Sequence, residues 1–203
     1  MALMEAPRPH IVLLAGPNGA GKSTAAPSLL KGTLRVAEFV NADVIARGIS
    51  GFRPGDAALE AGRVMMTRLR SLAARRVSFA FETTMASRTF APWIRGLLSE
   101  GYAFSLVFLY LPNAEVALAR VSERVRTGGH SVPEETVRRR YVTGLRNFFH
   151  LDRPLATTWQ FYENAGRSGP SLVARGRGST EIDVRQPRLW RAIQLQFAHE
   201  SGT

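Results

Sequence analysis

The chain has 203 residues, no cysteine and a net charge of +11. Without cysteine there is no disulfide, no zinc–thiolate centre and no thiol nucleophile, a composition that suits the cytoplasm. No apolar run approaches the ~20 residues that span a bilayer, and Met1 to His10 lacks the apolar stretch of a secretion signal. Nearly all of the positive charge is arginine; Lys22 and Lys31 are the only lysines. Three readings of that excess stay open. They are a compositional bias on a solvated surface, sites for phosphorylated ligands, which arginine forks bind well, and a nucleic-acid partner. The arginines are spread along the chain rather than gathered in a tail, which disfavours the last.

At this length one domain over residues 1–203 is expected. The first strand is expected at His10–Ala15. It runs into Gly16-Pro17-Asn18-Gly19-Ala20-Gly21-Lys22-Ser23-Thr24, which fits G-x-x-x-x-G-K-[ST] at every fixed position. A helix expected over Lys22–Leu30 follows, and this strand–loop–helix context is what the motif requires. The glycines let the backbone wrap a phosphate and aim its N–H groups inward, beside the positive end of the helix. Lys22 can then reach the β- and γ-phosphates, and the Ser23 hydroxyl can meet Mg²⁺. ATP or GTP with Mg²⁺ is therefore the expected ligand.

A second strand is expected at Ala37–Asn41, with Asn41-Ala42-Asp43 at its end. There Asp43 can accept the proton of an attacking hydroxyl; alternatively it caps the segment Val44–Gly48. The next helix is expected over Asp56–Arg75, capped by Asp56. The third strand, Val77–Glu82, ends in Glu82-Thr83-Thr84. Glu82 can orient Mg²⁺ through water or, with Thr83, hold a substrate hydroxyl; the threonines can also cap the helix expected over Arg88–Glu100. Arg88 lies near that helix start, where a cation is unfavourable without a nearby anion. It is either a substrate contact or a solvated arginine. Gly101 reads as the helix stop.

The fourth strand is expected at Phe104–Tyr110 and a helix, capped by Asn113, over Asn113–Thr127. Arg120 and Arg124 lie one turn apart, where like charges repel unless a phosphate draws them together. Gly128-Gly129-His130 is a basic break before the helix Pro133–Phe149, with Ser131 as a cap. On that helix Glu134 and Glu135 have i,i+4 partners in Arg138 and Arg139, whereas Arg140 has none. Residues 120–141 read either as a lid that closes over a transferring phosphoryl group, with His130 as a substrate contact, or as a solvated helical hairpin. A fifth strand is expected at Thr158–Glu163, a surface loop over Gly166–Gly178 and a last helix over Pro187–Ala198. His10, His150 and His199 read as structural. The alternation of strands and helices gives an α/β fold with a central, mostly parallel sheet covered on both faces.

The ordered set of Gly16–Thr24, Asn41-Ala42-Asp43, Phe81-Glu82-Thr83-Thr84, Gly128-Gly129-His130-Ser131-Val132-Pro133 and Arg139-Arg140-Tyr141 resembles the zeta-toxin kinases, closest to their short branch. The resemblance covers roughly His10 to Asn164. It implies a P-loop kinase that uses ATP or GTP with Mg²⁺ and phosphorylates the 3′-hydroxyl of the aminosugar in UDP-N-acetylglucosamine. Lys22 matches the loop lysine, Asp43 the family's proposed base, Glu82 and Thr83 the substrate-side strand end, and Arg124 and Arg140 the lid arginines. An antitoxin protein enters as a partner by the same route. The chain departs from the family in being shorter than the classical toxins, and in having Glu163-Asn164 where Asp-Asn is common. Two other classes stay open: a P-loop ATPase or switch that transfers phosphate only to water, and a nucleic-acid-binding protein.

Overall fold

A computed structural model describes residues 8–28, 36–51, 57–129, 131–166 and 169–198. Asp56, His130 and His199 lie outside them. The strands are β1 (His10–Ala15), β2 (Glu38–Val40), β3 (Phe79–Thr83), β4 (Ala103–Tyr110), β5 (Thr158–Glu163), β6 (Ser171–Arg177) and β7 (Thr180–Val184). The helices are α1 (Lys22–Pro27), α2 (Ala42–Ile49), α3 (Ala58–Ala74), α4 (Phe90–Ser99), α5 (Ala114–Arg126), α6 (Glu134–Asn147) and α7 (Pro187–Phe197). One seven-stranded sheet has the order β2-β3-β1-β4-β5-β6-β7. The pairings from β2 through β5 are all parallel, so the expected parallel core is present. Ile11, Val12 and Leu13 of β1 and Phe79, Ala80 and Phe81 of β3 are fully buried, as unbroken apolar strands covered on both faces must be.

The expected loop at Gly166–Gly178 is a correction. Ser171–Arg177 is strand β6, and with β7 it extends the sheet as an antiparallel hairpin. Glycine, serine and arginine dominate this segment and hide the strand pattern. Val173 and Ala174 are buried, and exposed Arg175 and Arg177 flank Gly176. A Cβ on Gly176 would fall 2.5 Å from the Trp159 ring, so glycine is what lets the strand pass under the indole.

The break at Gly128-Gly129 is ordered. The Gly128 N–H donates to the Val125 carbonyl and that of Gly129 to Arg124, the paired bonds of a Schellman helix end. Asn113 caps α5, its Oδ1 accepting from the Val116 N–H at 2.9 Å. Helix α6 begins at Glu134, just after Pro133, and no side chain caps it.

After α6 a π-turn (Phe148–Asp152) and a 3₁₀ turn (Arg153–Leu155) lead into β5. They carry an aromatic cluster. Phe148 sits 5.1 Å from both Phe108 and Phe161, Trp159 stacks on Trp190 of α7 at 5.5 Å, and the Arg153 guanidinium lies 5.0 Å over Trp159. Beside it Asp152 is buried, and burial pushes its carboxyl up to about 7. A folded-state value above the unfolded one means that the native state holds the proton more tightly between pH 4 and 7, so stability falls as pH rises through that window. Asp152→Asn should therefore raise the melting temperature at pH 8 by about 5 °C or more and leave it unchanged near pH 4. Equal effects at both pH values would contradict the buried-charge account.

Candidate functional site

The parallel strands β2, β3 and β1 end on one edge, and the turns that follow them build the site. After β1 the chain turns at Gly16, whose φ is +142° and whose Cβ would lie 2.3 Å from the Leu109 carbonyl oxygen of β4. Only glycine fits there. The loop delivers Lys22 at the start of α1. Its side chain is buried, and Nζ donates to the carbonyls of Gly16 at 2.8 Å and Pro17 at 3.0 Å. Asn18 buries its amide oxygen in the same loop without a hydrogen-bond partner.

Parallel pairing with β1 sets Glu82 beside Leu14, two residues before Gly16. Its Oε1 lies 3.9 Å from Lys22 Nζ. Its Oε2 accepts from Ser23 Oγ at 2.9 Å and from Asn41 Nδ2 at 2.8 Å. Asn41, not Asp43, is the cap of α2: its Oδ1 accepts from the backbone N–H groups of Asp43 at 2.8 Å and Val44 at 3.2 Å. That commitment turns its Nδ2 toward Glu82. Asp43 is left half-buried in the first turn, facing the cavity. Asn41 was not among the sequence candidates. The signal for it was an asparagine just before a helix start, which the adjacent aspartate masked.

A cavity of about 540 Å³ is lined by the phosphate loop, Asn41, Asp43, Glu82, Thr83, Thr84, Arg120, Arg124 and Arg140, and beyond them by residues of α2, α3 and α4. Among the described residues four cations and two carboxylates line it, an excess of two positive charges that suits a polyanion. The Lys22 ammonium feels four of the others. Burial lowers its pKa most; Glu82 and Asp43 oppose that, and Arg124 and Arg140 add to it. Arg140 is half-buried. Burial, then Arg139, lowers its pKa, and Asp43 pulls it back. Arg124 and Arg140, from two helices, thus converge with Lys22 and Asp43.

Arg120 has a different employment from its neighbour. It donates to the carbonyls of Gly19 at 3.3 Å and Ala165 at 2.9 Å, bracing the loop from α5. Asn164, just past the end of β5, braces it too, its Nδ2 donating to the Ala20 carbonyl at 2.8 Å. Thr83 and Thr84 line the cavity. The next residue, Met85, has a left-handed φ of 59° and is held by Asn147 of α6, which donates to its carbonyl at 2.8 Å. Arg88 stands exposed before α4 and does not line the cavity. The helix starts at Phe90, which does.

Among the described residues no group of three or more His, Asp or Glu side chains could hold a metal by itself. The oxygen donors present, the Ser23 hydroxyl and the Glu82 carboxylate, fit Mg²⁺, which takes most of its ligands from phosphates and water.

The AAA domain family matches residues 11–141, well over half of the chain. The chain belongs to the AAA domain family. The matched part of this AAA domain protein runs from β1 to Tyr141 and so contains Lys22, Asp43, Glu82, Arg124 and Arg140. An uncharacterized protein of Haemophilus influenzae is 27% identical over 130 residues, 64% of this chain and 91% of that one. The crystal structure of AvrRxo1-ORF1:-ORF2 with ATP is similar over 97% of this chain, with a TM-score of 0.72 and 18% identity. This chain spans 66% of that one, just under two thirds of its length. The PezAT chromosomal toxin–antitoxin system of Streptococcus pneumoniae is similar over 98% of this chain and 82% of that one, with a TM-score of 0.63 and 14% identity. The fold of this AAA domain protein is thus that of a P-loop kinase, with a mostly parallel sheet. No helix of the described residues is long and apolar enough to cross a membrane.

Proposed function

We propose that this chain is a phosphotransferase that moves the γ-phosphoryl group of ATP or GTP to a hydroxyl of a small molecule. One observation carries the reading: Lys22, Asp43, Glu82, Arg124 and Arg140, drawn from five elements, meet around a single cavity. The loop N–H groups and Lys22 hold the β- and γ-phosphates. Ser23 and Glu82 would hold Mg²⁺, which supplies charge neutralisation on the phosphates when bound. Asp43 takes the proton of the acceptor hydroxyl as its oxygen bonds to the γ-phosphorus. The bond from that phosphorus to the bridging oxygen breaks, and its electron pair leaves with the nucleoside diphosphate. Arg124 and Arg140 face the charge that spreads over the transferring group. They line the cavity from the α5–α6 hairpin, which covers the phosphates as a lid in this reading.

Asn41 is a positioning residue for this chemistry, tying the Asp43 turn to the Glu82 carboxylate. Asn41→Ala should lower kcat about 10- to 100-fold and raise the Mg²⁺ concentration needed for half-maximal rate; an unchanged Mg²⁺ requirement would reduce Asn41 to a helix cap.

The resemblance to zeta toxins makes UDP-N-acetylglucosamine one acceptor to screen. The toxin–antitoxin description of PezAT, and the ORF1:ORF2 assembly of AvrRxo1, support an antitoxin-like protein partner for this chain. A cytoplasmic location fits its nucleotide supply. The test is an acceptor screen with labelled ATP, read by product mass spectrometry, with UDP-N-acetylglucosamine, other hydroxyl compounds and no acceptor. The reading expects a phosphorylated acceptor. Phosphate released to water at the same rate in every reaction would favour a plain ATPase.

A further inference from the structure

The part of the cavity that lies past Asp43 has its own chemistry. It is built by α2, α3 and the start of α4, which follow the two strands on the far side of β1 from Arg120 and Arg124. These helices contribute Ala42, Asp43, Ala46, Ala58, Gly62, Met65 and Phe90 to the lining. Asp43 is the single charged group of that set. Phe90 is fixed by its packing on Phe81, the rings 4.9 Å apart. Among the described residues the cavity's cations come from other elements: Lys22 from α1, held on the Gly16 and Pro17 carbonyls, Arg120 from α5, held on the Gly19 and Ala165 carbonyls, Arg124 from α5 and Arg140 from α6.

Gly62 is the unusual member. It sits inside α3, where glycine costs about 1 kcal/mol relative to alanine. Its φ is not in the left-handed region, so no backbone requirement explains it. Packing does not explain it either: among the described residues a Cβ built there meets nothing within 4 Å. Gly48 and Gly96 have the same open space but do not line the cavity. At Gly62 the open space is the cavity itself.

We infer that Gly62 sets the width of the acceptor site, and that the acceptor carries its hydroxyl on a molecule with an uncharged ring whose apolar face lies against Met65 and Phe90. The inference rests on the phosphotransfer reading and narrows it. A polyanionic acceptor would meet a carboxylate and no cation from these three helices. A free sugar would leave the carbon-lined wall without a partner and lose the burial it offers.

The test uses matched alcohols that differ by a ring: uridine against ribose, and phenyl β-D-glucoside against glucose, with UDP-N-acetylglucosamine alongside. Each is assayed with labelled ATP on the wild-type chain and on Gly62→Ala and Gly62→Leu. The ring-bearing member of at least one pair should show a KM about tenfold or more below its partner, and below that of UDP-N-acetylglucosamine. Gly62→Leu should erase the preference, and Gly62→Ala should weaken it, while the KM for ATP stays unchanged. Both variants should melt at or above the wild-type temperature, because the helix gains a better former. Preference for the ring-free alcohols or the sugar diphosphate, or an acceptor KM untouched by Gly62→Leu, would overturn the inference and leave phosphotransfer standing. Transfer to none of the five, with ATP bound at the loop, would sink the phosphotransfer reading and this inference with it.

Discussion

Lys22→Ala should abolish phosphotransfer and weaken ATP binding by about 100-fold or more, because the variant loses the ammonium placed to meet the β- and γ-phosphates. Hydrogen bonds to a charged group contribute about 1.5–3 kcal/mol each, and at least two are at stake. The fold should survive. The Lys22 charge is disfavoured in the folded state, since burial lowers its pKa more than Glu82 and Asp43 restore it. Removing it leaves Glu82 still accepting from Ser23 and Asn41. The sign of the pH effect follows. A lysine whose folded pKa lies below its unfolded one destabilises the protein at neutral pH, and that penalty fades as pH rises toward the unfolded pKa. The alanine variant should therefore melt no lower than wild type at pH 7. Titration calorimetry with ATP and a thermal melt check both halves; a large drop in melting temperature would mean that the lysine serves the fold rather than the ligand.

Asp43→Ala should lower the single-turnover rate of transfer by about 10³-fold and leave ATP affinity nearly unchanged. The distinction from Lys22 is structural. Asp43 makes none of the loop contacts, and the cap of α2 is Asn41, so its removal neither uncaps the helix nor disturbs the loop. The fold loses a favourable charge in the first turn, worth about 0.5 kcal/mol, and the attraction of that carboxylate for Lys22 and Arg140. Asp43→Asn, which keeps shape without basicity, should be as inactive as alanine. Transfer at the wild-type rate in Asp43→Asn would remove the base assignment.

Much of the framework was legible because it is local. The bounds of β1 follow from a short apolar run, and the phosphate loop follows from fixed spacing. Two classes of feature were not legible. The β6–β7 hairpin was hidden because its strand depends on a distant partner: Gly176 makes sense only beneath Trp159. Side-chain employment was hidden for the same reason. Arg120 and Arg124 look alike in sequence, one turn apart on one face. Only the return of the chain at Gly19 and Ala165 makes the first a brace for the loop. Arg88 looked like an anion contact because it was placed inside a helix start; the helix begins two residues later, at Phe90, and Arg88 points to solvent. Asn41 shows the converse. Its capping role was readable in principle, but its bond to Glu82 requires β2 and β3 to lie side by side.

The most direct measurement is a crystal structure with a non-hydrolysable ATP analogue and Mg²⁺. Its β- and γ-phosphates should lie in the Gly16–Thr24 turn, with Lys22 rotated off the Gly16 and Pro17 carbonyls onto them and Asp43 facing the γ-phosphate. An analogue bound elsewhere, with Lys22 still on those carbonyls, would contradict the account.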